Sequence, residues 1–201
     1  MFRHVAAAAF ASIALIGVSN VHAGLITYQA QLSGPAEAPP NASPGLGQAT
    51  VVVDADANTM RVIVSFSGLL AVTTAAHIHG PTPNPLEGTA GVATTTPTFP
   101  FFPLGVTSGS YDQTFDLLAA SSYNPAFVTA NGGTTAGAQA ALLAALASQR
   151  AYLNIHTAAF PAGEIRGFLQ AAVPEPSSLA SMGLGVMGLV GWAIARRGRS
   201  A

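Results

Sequence analysis

The sequence predicts an all-β domain, an antiparallel Greek-key sandwich or barrel carrying one helix near residues 134–150. Three observations predict it. Short segments with apolar residues at every second position recur along the middle of the chain. Clusters of Gly, Pro, Asn and Asp separate them, and a single Ala- and Leu-rich run comes late, so no βαβ alternation can form. No internal repeat is visible.

Taken in order, "LITYQAQL" (25–32) alternates and stops at the turn formers Ser33, Gly34 and Pro35. "QATVVVD" (48–54) and "MRVIVSFS" (60–67) flank the polar loop "ADANT", a hairpin in which Val62, Val64 and Phe66 share one face. "AAHIHG" follows, then a passage rich in Pro, Gly and Thr from Pro81 to Gly109 with no period. "SYDQTFDL" (110–117) is the next strand. The helix spans "TTAGAQAALLAALASQR" (134–150), with Thr134 or Thr135 as N-cap and Arg150 suited to its last turn. "RAYLNIHT" (150–157) and "GEIRGFLQ" (163–170) complete the domain.

The two ends have the character of targeting segments. Residues 1–23 combine a basic start, the apolar run "VAAAAFASIALIGV" and the small-x-small pattern Val21-His22-Ala23, which predicts a signal peptide cut between Ala23 and Gly24 by signal peptidase. At the other end the 17 residues 179–195 form an apolar run of spanning length, and Arg196, Arg197 and Arg199 after it make a cytoplasmic stop. Pro174, Glu175 and Pro176 stand just before that run. This order, a Pro-Glu-Pro motif, an apolar helix and an arginine-rich tip, closely resembles the PEP-CTERM sorting signal of Gram-negative bacteria. The resemblance covers residues 173–199. It implies a transient membrane anchor, an exosortase as processing partner, and release to the cell surface or an exopolysaccharide matrix. The expected organisation is therefore a signal peptide (1–23), a β domain (24–172) and a sorting segment (173–201).

Between the ends the charges are Arg61, Arg150 and Arg166 against seven carboxylates, a net charge of −4. Three scattered arginines and no lysine anywhere exclude a nucleic-acid-binding protein. The absence of cysteine excludes a disulfide framework, a thiolate ligand and a thiol nucleophile.

Five histidines occur in the chain, and three lie between the targeting segments: His77, His79 and His156. On a strand, residues i and i+2 share a face, so His77 and His79 point together while Ile78 points to the core. Tyr152, Asn154 and His156 likewise oppose Leu153 and Ile155, and Glu164 and Arg166 oppose Ile165. Each strand thus has an apolar row for the core and a polar row for the outside. Two imidazoles from one strand and a third from a neighbour form a three-ligand set suited to copper or zinc. The alternative is solvent-facing or hydrogen-bonded histidines that hold a loop.

"AHIHGP", followed some seventy residues later by "RAYLNIHTAAFPAGEIRGFL", resembles the two signature blocks of the CHRD (chordin-type) domain over about residues 25–171. The resemblance implies an immunoglobulin-like or superoxide-dismutase-like barrel and no firmly assigned activity. Compared with copper/zinc superoxide dismutase, His77 and His79 match its His-x-His pair, His156 a third copper ligand, and Arg166 an anion-steering arginine. A bridging histidine, further zinc ligands in the 81–109 loop and a disulfide are all missing, which excludes a two-metal site.

The remaining candidates are simpler. Asp54, Asp56 and Asn58 alternate like calcium ligands but lack the glycine and closing glutamate of an EF-hand, so a polar turn is expected. Glu164 and Arg166 form either a brace for the site or a surface ion pair. Phe99, Phe101 and Phe102 form either an exposed patch or the cover of a sheet edge. No serine has a nucleophile-elbow context. The leading expectation is a non-enzymatic, exported surface or matrix protein that engages exopolysaccharide or surface proteins. The second is a mononuclear copper or zinc protein built on His77, His79 and His156.

Overall fold

The computed structural model describes residues 24–172. The expected signal peptide, the Pro174–Pro176 motif and the apolar run 179–195 lie outside the described residues. Among those described, no helix is long and apolar enough to cross a membrane.

Eight strands form one curled antiparallel sheet: β1 (Leu25–Ser33), β2 (Leu46–Asp54), β3 (Thr59–Ser67), β4 (Thr73–His79), β5 (Gly109–Asp116), β6 (Tyr152–Thr157), β7 (Ile165–Phe168) and β8 (Gln170–Ala171). Their order is β4-β6-β7-β1-β2-β3-β5, with β8 pairing β1 beyond β7. The expected mostly-β antiparallel fold is therefore present as a single curled sheet. After the β1-β2-β3 meander the chain crosses to the opposite edge to lay down β4, which pairs with β6. That crossing, and not any local signal, brings the two histidine-bearing strands side by side.

The β2–β3 turn is local chemistry. Asp54 Oδ1 accepts from the backbone N–H groups of Asp56 (3.0 Å) and Ala57 (2.8 Å), and Asn58 takes a left-handed φ of 54°. The aspartate row is thus a polar turn, as expected.

The helix expected over 134–150 is α2 (Thr135–Ala147), capped by the Thr134 hydroxyl, which accepts from Gly137 N at 3.1 Å. It ends earlier than expected because Gln149 turns left-handed at φ 57°. Arg150, expected in the last helical turn, instead donates from Nε to Thr82 O and accepts from Thr82 N through its carbonyl. A six-residue helix, α1 (Pro125–Ala130), precedes α2; Asn124 caps it and Pro125 opens it.

The core fills the inside of the curl. Val62, Val64, Phe66, Ala76, Ile78, Leu153, Ile155, Ile165 and Leu142 are all buried there. Of the three phenylalanines in "TFPFFP", Phe99 stacks on Tyr111 and Phe102 on Phe66, each at 5.6 Å, while Phe101 stays 88% exposed. The segment covers the sheet with two rings and leaves one outside.

Candidate metal centre

The polar row expected on the outside of β4, β6 and β7 does not meet water. Side-chain alternation places it opposite the core, but loops following β1, β4 and β6 fold over that face. As a result His77, His79, Asn154, His156 and Arg166 are all buried. Alternation within a strand says which residues share a face; it cannot say that a loop will roof it.

Under the roof the three histidines converge. The pairing of β4 with β6 sets His77 opposite Asn154 and Ala75 opposite His156, so His156 lies diagonal to His77. Ring centroids stand 4.8 Å apart for His77–His156, 5.1 Å for His77–His79 and 5.7 Å for His79–His156. One ring nitrogen from each falls within 4.8 Å of the others, and no carboxylate joins this group among the described residues.

Backbone carbonyls fix the tautomer of every ring. His77 Nε2 meets Pro97 O at 3.0 Å, His79 Nδ1 meets Ala90 O at 2.9 Å, and His156 Nδ1 meets Pro161 O at 2.9 Å. A carbonyl oxygen only accepts, so each of these nitrogens carries the proton. The opposite nitrogens, His77 Nδ1, His79 Nε2 and His156 Nε2, are then bare lone pairs. Two of them, on His77 and His79, are only 3.2 Å apart, and His156 Nε2 has no hydrogen-bond partner. Metal-bound histidines characteristically donate their second N–H to a carbonyl or carboxylate in this way.

Protons do not resolve the crowding near neutral pH. Burial, followed by the adjacent His156 and His79 rings, pushes His77 down to about 3, although Pro97 O pulls the other way. His79 falls to about 4, again chiefly through burial, against the pull of Ala90 O. His156 is also lowered by burial, and Pro161 O opposes the shift.

A second group flanks the histidines. Tyr152 lies parallel on His79 at 4.9 Å, and the Arg166 guanidinium sits 4.7 Å over the Tyr152 ring. Arg166 donates to Ala36 O and Gly88 O and lies 3.8 Å from Glu37 Oε2. Burial drives the Glu37 carboxyl up to about 7, against the lowering effect of Arg166. Gly163, at φ 132°, passes so close that a Cβ would stand 2.6 Å from both Glu37 Oε1 and Asn154 Oδ1. Those two oxygens and His156 Nε2 are the buried side-chain polar atoms without a partner among the described residues, and all three gather at this one face.

Glu164 and Arg166 do not pair. Glu164 precedes β7, so strand alternation does not govern it; its carboxylate accepts from Ser43 Oγ (2.6 Å), Leu70 N (2.6 Å) and Thr157 Oγ1 (2.7 Å). Burial alone would raise its pKa, but these bonds together hold it below the usual range. Glu37, absent from the sequence-level candidates, is the acid beside Arg166. It lies in "PAEAPPNASPG", a loop with no period to mark it, whereas Tyr152 was legible from its place on the His156 face.

The chain belongs to the CHRD domain family, whose sequence profile matches residues 28–169. A PEP-CTERM protein-sorting motif follows over residues 172–197. That motif implies an exported protein of Gram-negative bacteria, sorted at the membrane with an exosortase as processing partner. No curated protein and no solved structure matches the chain.

Proposed function

We propose that this chain is an exported metal-binding protein whose CHRD domain holds one copper or zinc ion between His77 Nδ1, His79 Nε2 and His156 Nε2. The observation that carries this reading is that one ring nitrogen from each of the three histidines falls within 4.8 Å of the others, and that two unprotonated ones, His77 Nδ1 and His79 Nε2, stand 3.2 Å apart. Lone pairs so placed repel one another, and a cation among them turns that repulsion into bonding. A tetrahedral ion with ligands at about 2.0–2.1 Å separates its donors by roughly that spacing. The fold holds the donors ready, because each ring is pinned from behind by a carbonyl.

A copper or zinc ion there supplies a Lewis-acid centre, and copper also a one-electron couple. The chain's own residues favour holding an ion over turning over a substrate. The three ligands are 7–8% exposed, so the roof leaves little approach for a reactant. Arg166, matched at the sequence level to an anion guide, is buried and spent on carbonyls and the Tyr152 ring, which supports a bracing role. We read the domain as a non-enzymatic module delivered by its sorting signal to the cell surface or exopolysaccharide matrix.

Metal analysis of the exported protein, isolated without a polyhistidine tag, tests the reading. One equivalent of copper or zinc is expected, and it disappears in His77→Ala/His79→Ala. If neither ion binds after reconstitution, the domain is an inert surface module and the metal reading fails.

A further inference from the structure

The donor set carries no negative charge, and its surroundings supply none in excess. The three ligands are imidazoles whose N–H groups are committed to carbonyls, and no carboxylate stands within the group among the described residues. Glu164 is occupied by Ser43, Thr157 and Leu70 N. Glu37 faces Arg166 and at most cancels its charge. The guanidinium itself is buried and lies two stacked rings from the site, over Tyr152, which lies on His79.

A buried ion in such a place keeps its full charge, and the cost of that charge in a poorly polarisable interior grows as its square, about fourfold from a monovalent to a divalent ion. We propose that the three-histidine site selects monovalent copper over divalent copper and divalent zinc. The inference rests on the metal reading above and adds the valence. Imidazole nitrogen suits copper and zinc alike, so the charge of the ion, and not the donor type, decides between them. With the anionic partner missing, the one-electron reduced ion is the state that the site holds best. The buried Arg166 enforces this preference from two ring-widths away, and Glu37 moderates it.

Competition titrations test the proposal. The metal-free protein is titrated with Cu(I) under anaerobic conditions against bicinchoninate, and separately with Cu(II) and Zn(II) against chelators of known affinity. One equivalent of Cu(I) is expected to bind at least a hundredfold more tightly than Cu(II). At 59 mV per decade, that raises the site's Cu(II)/Cu(I) potential by about 120 mV over the free ion's couple. At pH 8, above the value to which burial lifts Glu37, Glu37→Gln removes the moderating charge and should widen the preference by about tenfold, while Arg166→Gln should narrow it by a similar factor. Should Arg166→Gln fail to fold, Glu37→Gln alone gives the sign of the field. Equal or tighter binding of Zn(II) or Cu(II) overturns the valence assignment and leaves the metal reading standing. Binding of no ion overturns both.

Discussion

In β3 the residues from Met60 to Ser67 alternate between buried and outward-facing, whereas in β6 every residue from Tyr152 to Thr157 is buried. The first half of the sheet, the meander with β5, has one face on the core and leaves Arg61 and Ser65 to water. The second half carries the same alternation of side chains, but both of its faces are covered. On one side Ile78, Leu153, Ile155 and Ile165 fill the core; on the other a lining of His, Asn, Tyr and Arg sits beneath loops. Burying polar groups costs free energy unless each is hydrogen-bonded. The histidine face satisfies one nitrogen per ring and leaves the others bare. A core built only for stability would not be assembled so; the unsatisfied polar atoms mark the half of the sheet where the fold gives up stability.

Adjacent residues of β6 break or sharpen that contrast most strongly. Ile155→Ala opens a cavity in the core and is expected to destabilise the metal-free protein by about 3 kcal/mol. His156→Leu, one residue along on the roofed face, removes an orphaned acceptor at a cost of one bond to Pro161 O, and should change stability by less than about 1 kcal/mol. Urea denaturation of both variants decides. Equal losses would mean that the roofed face is simply a second core.

A smaller effect distinguishes the halves by pH. In the unfolded metal-free chain the histidines titrate near 6.5, while burial holds His77 near 3 and His79 near 4, with His156 lowered as well. The unfolded state therefore binds more protons as pH falls below 6.5, and stability is lost by about 1 kcal/mol per pH unit for each histidine. Glu37 works in the opposite sense. With its folded pKa raised to about 7, its contribution is fully present below about 4.5 and fades as pH rises to 7. The urea midpoint of the metal-free protein should fall from pH 6.5 toward 4.5, and Glu37→Gln should steepen that fall. A flat profile would place the histidines in contact with water.

How much of this was legible in the sequence follows from where each part is encoded. The strands announce themselves, because Val62, Val64 and Phe66 or Leu153 and Ile155 carry the period of their own backbone. The trio of His77, His79 and His156 was legible in composition and parity. Its closure was not, since only the crossing from β3 to the far edge sets β4 against β6. Roofing is also invisible locally: Ala90, Pro97 and Pro161 act through main-chain oxygens, which every residue possesses. Glu37 was missed for the same reason, as its role comes from the fold of an aperiodic loop onto Arg166. Expecting Glu164 beside Arg166 applied strand parity one residue ahead of the start of β7.

The smallest expected effect belongs to the open half. Arg61 donates to Asp112 across β3 and β5 through Nε (2.7 Å) and Nη2 (2.5 Å), a bidentate pair with about half of each side chain in water. By geometry it is the better of the two ion pairs among the described residues; Arg166 and Glu37 stand at 3.8 Å. Yet solvent and salt screen an exposed pair, and fixing two flexible side chains offsets much of the attraction. Arg61→Ala is therefore expected to leave the urea midpoint and the metal content unchanged. Arg166→Gln, which removes a poorer-looking contact, should move both, because Ala36 O, Gly88 O and Glu37 are left in a buried place with no water to replace the guanidinium. A loss at Arg61 comparable to that at Arg166 would show that distance, not burial, sets the worth of charge in this sheet.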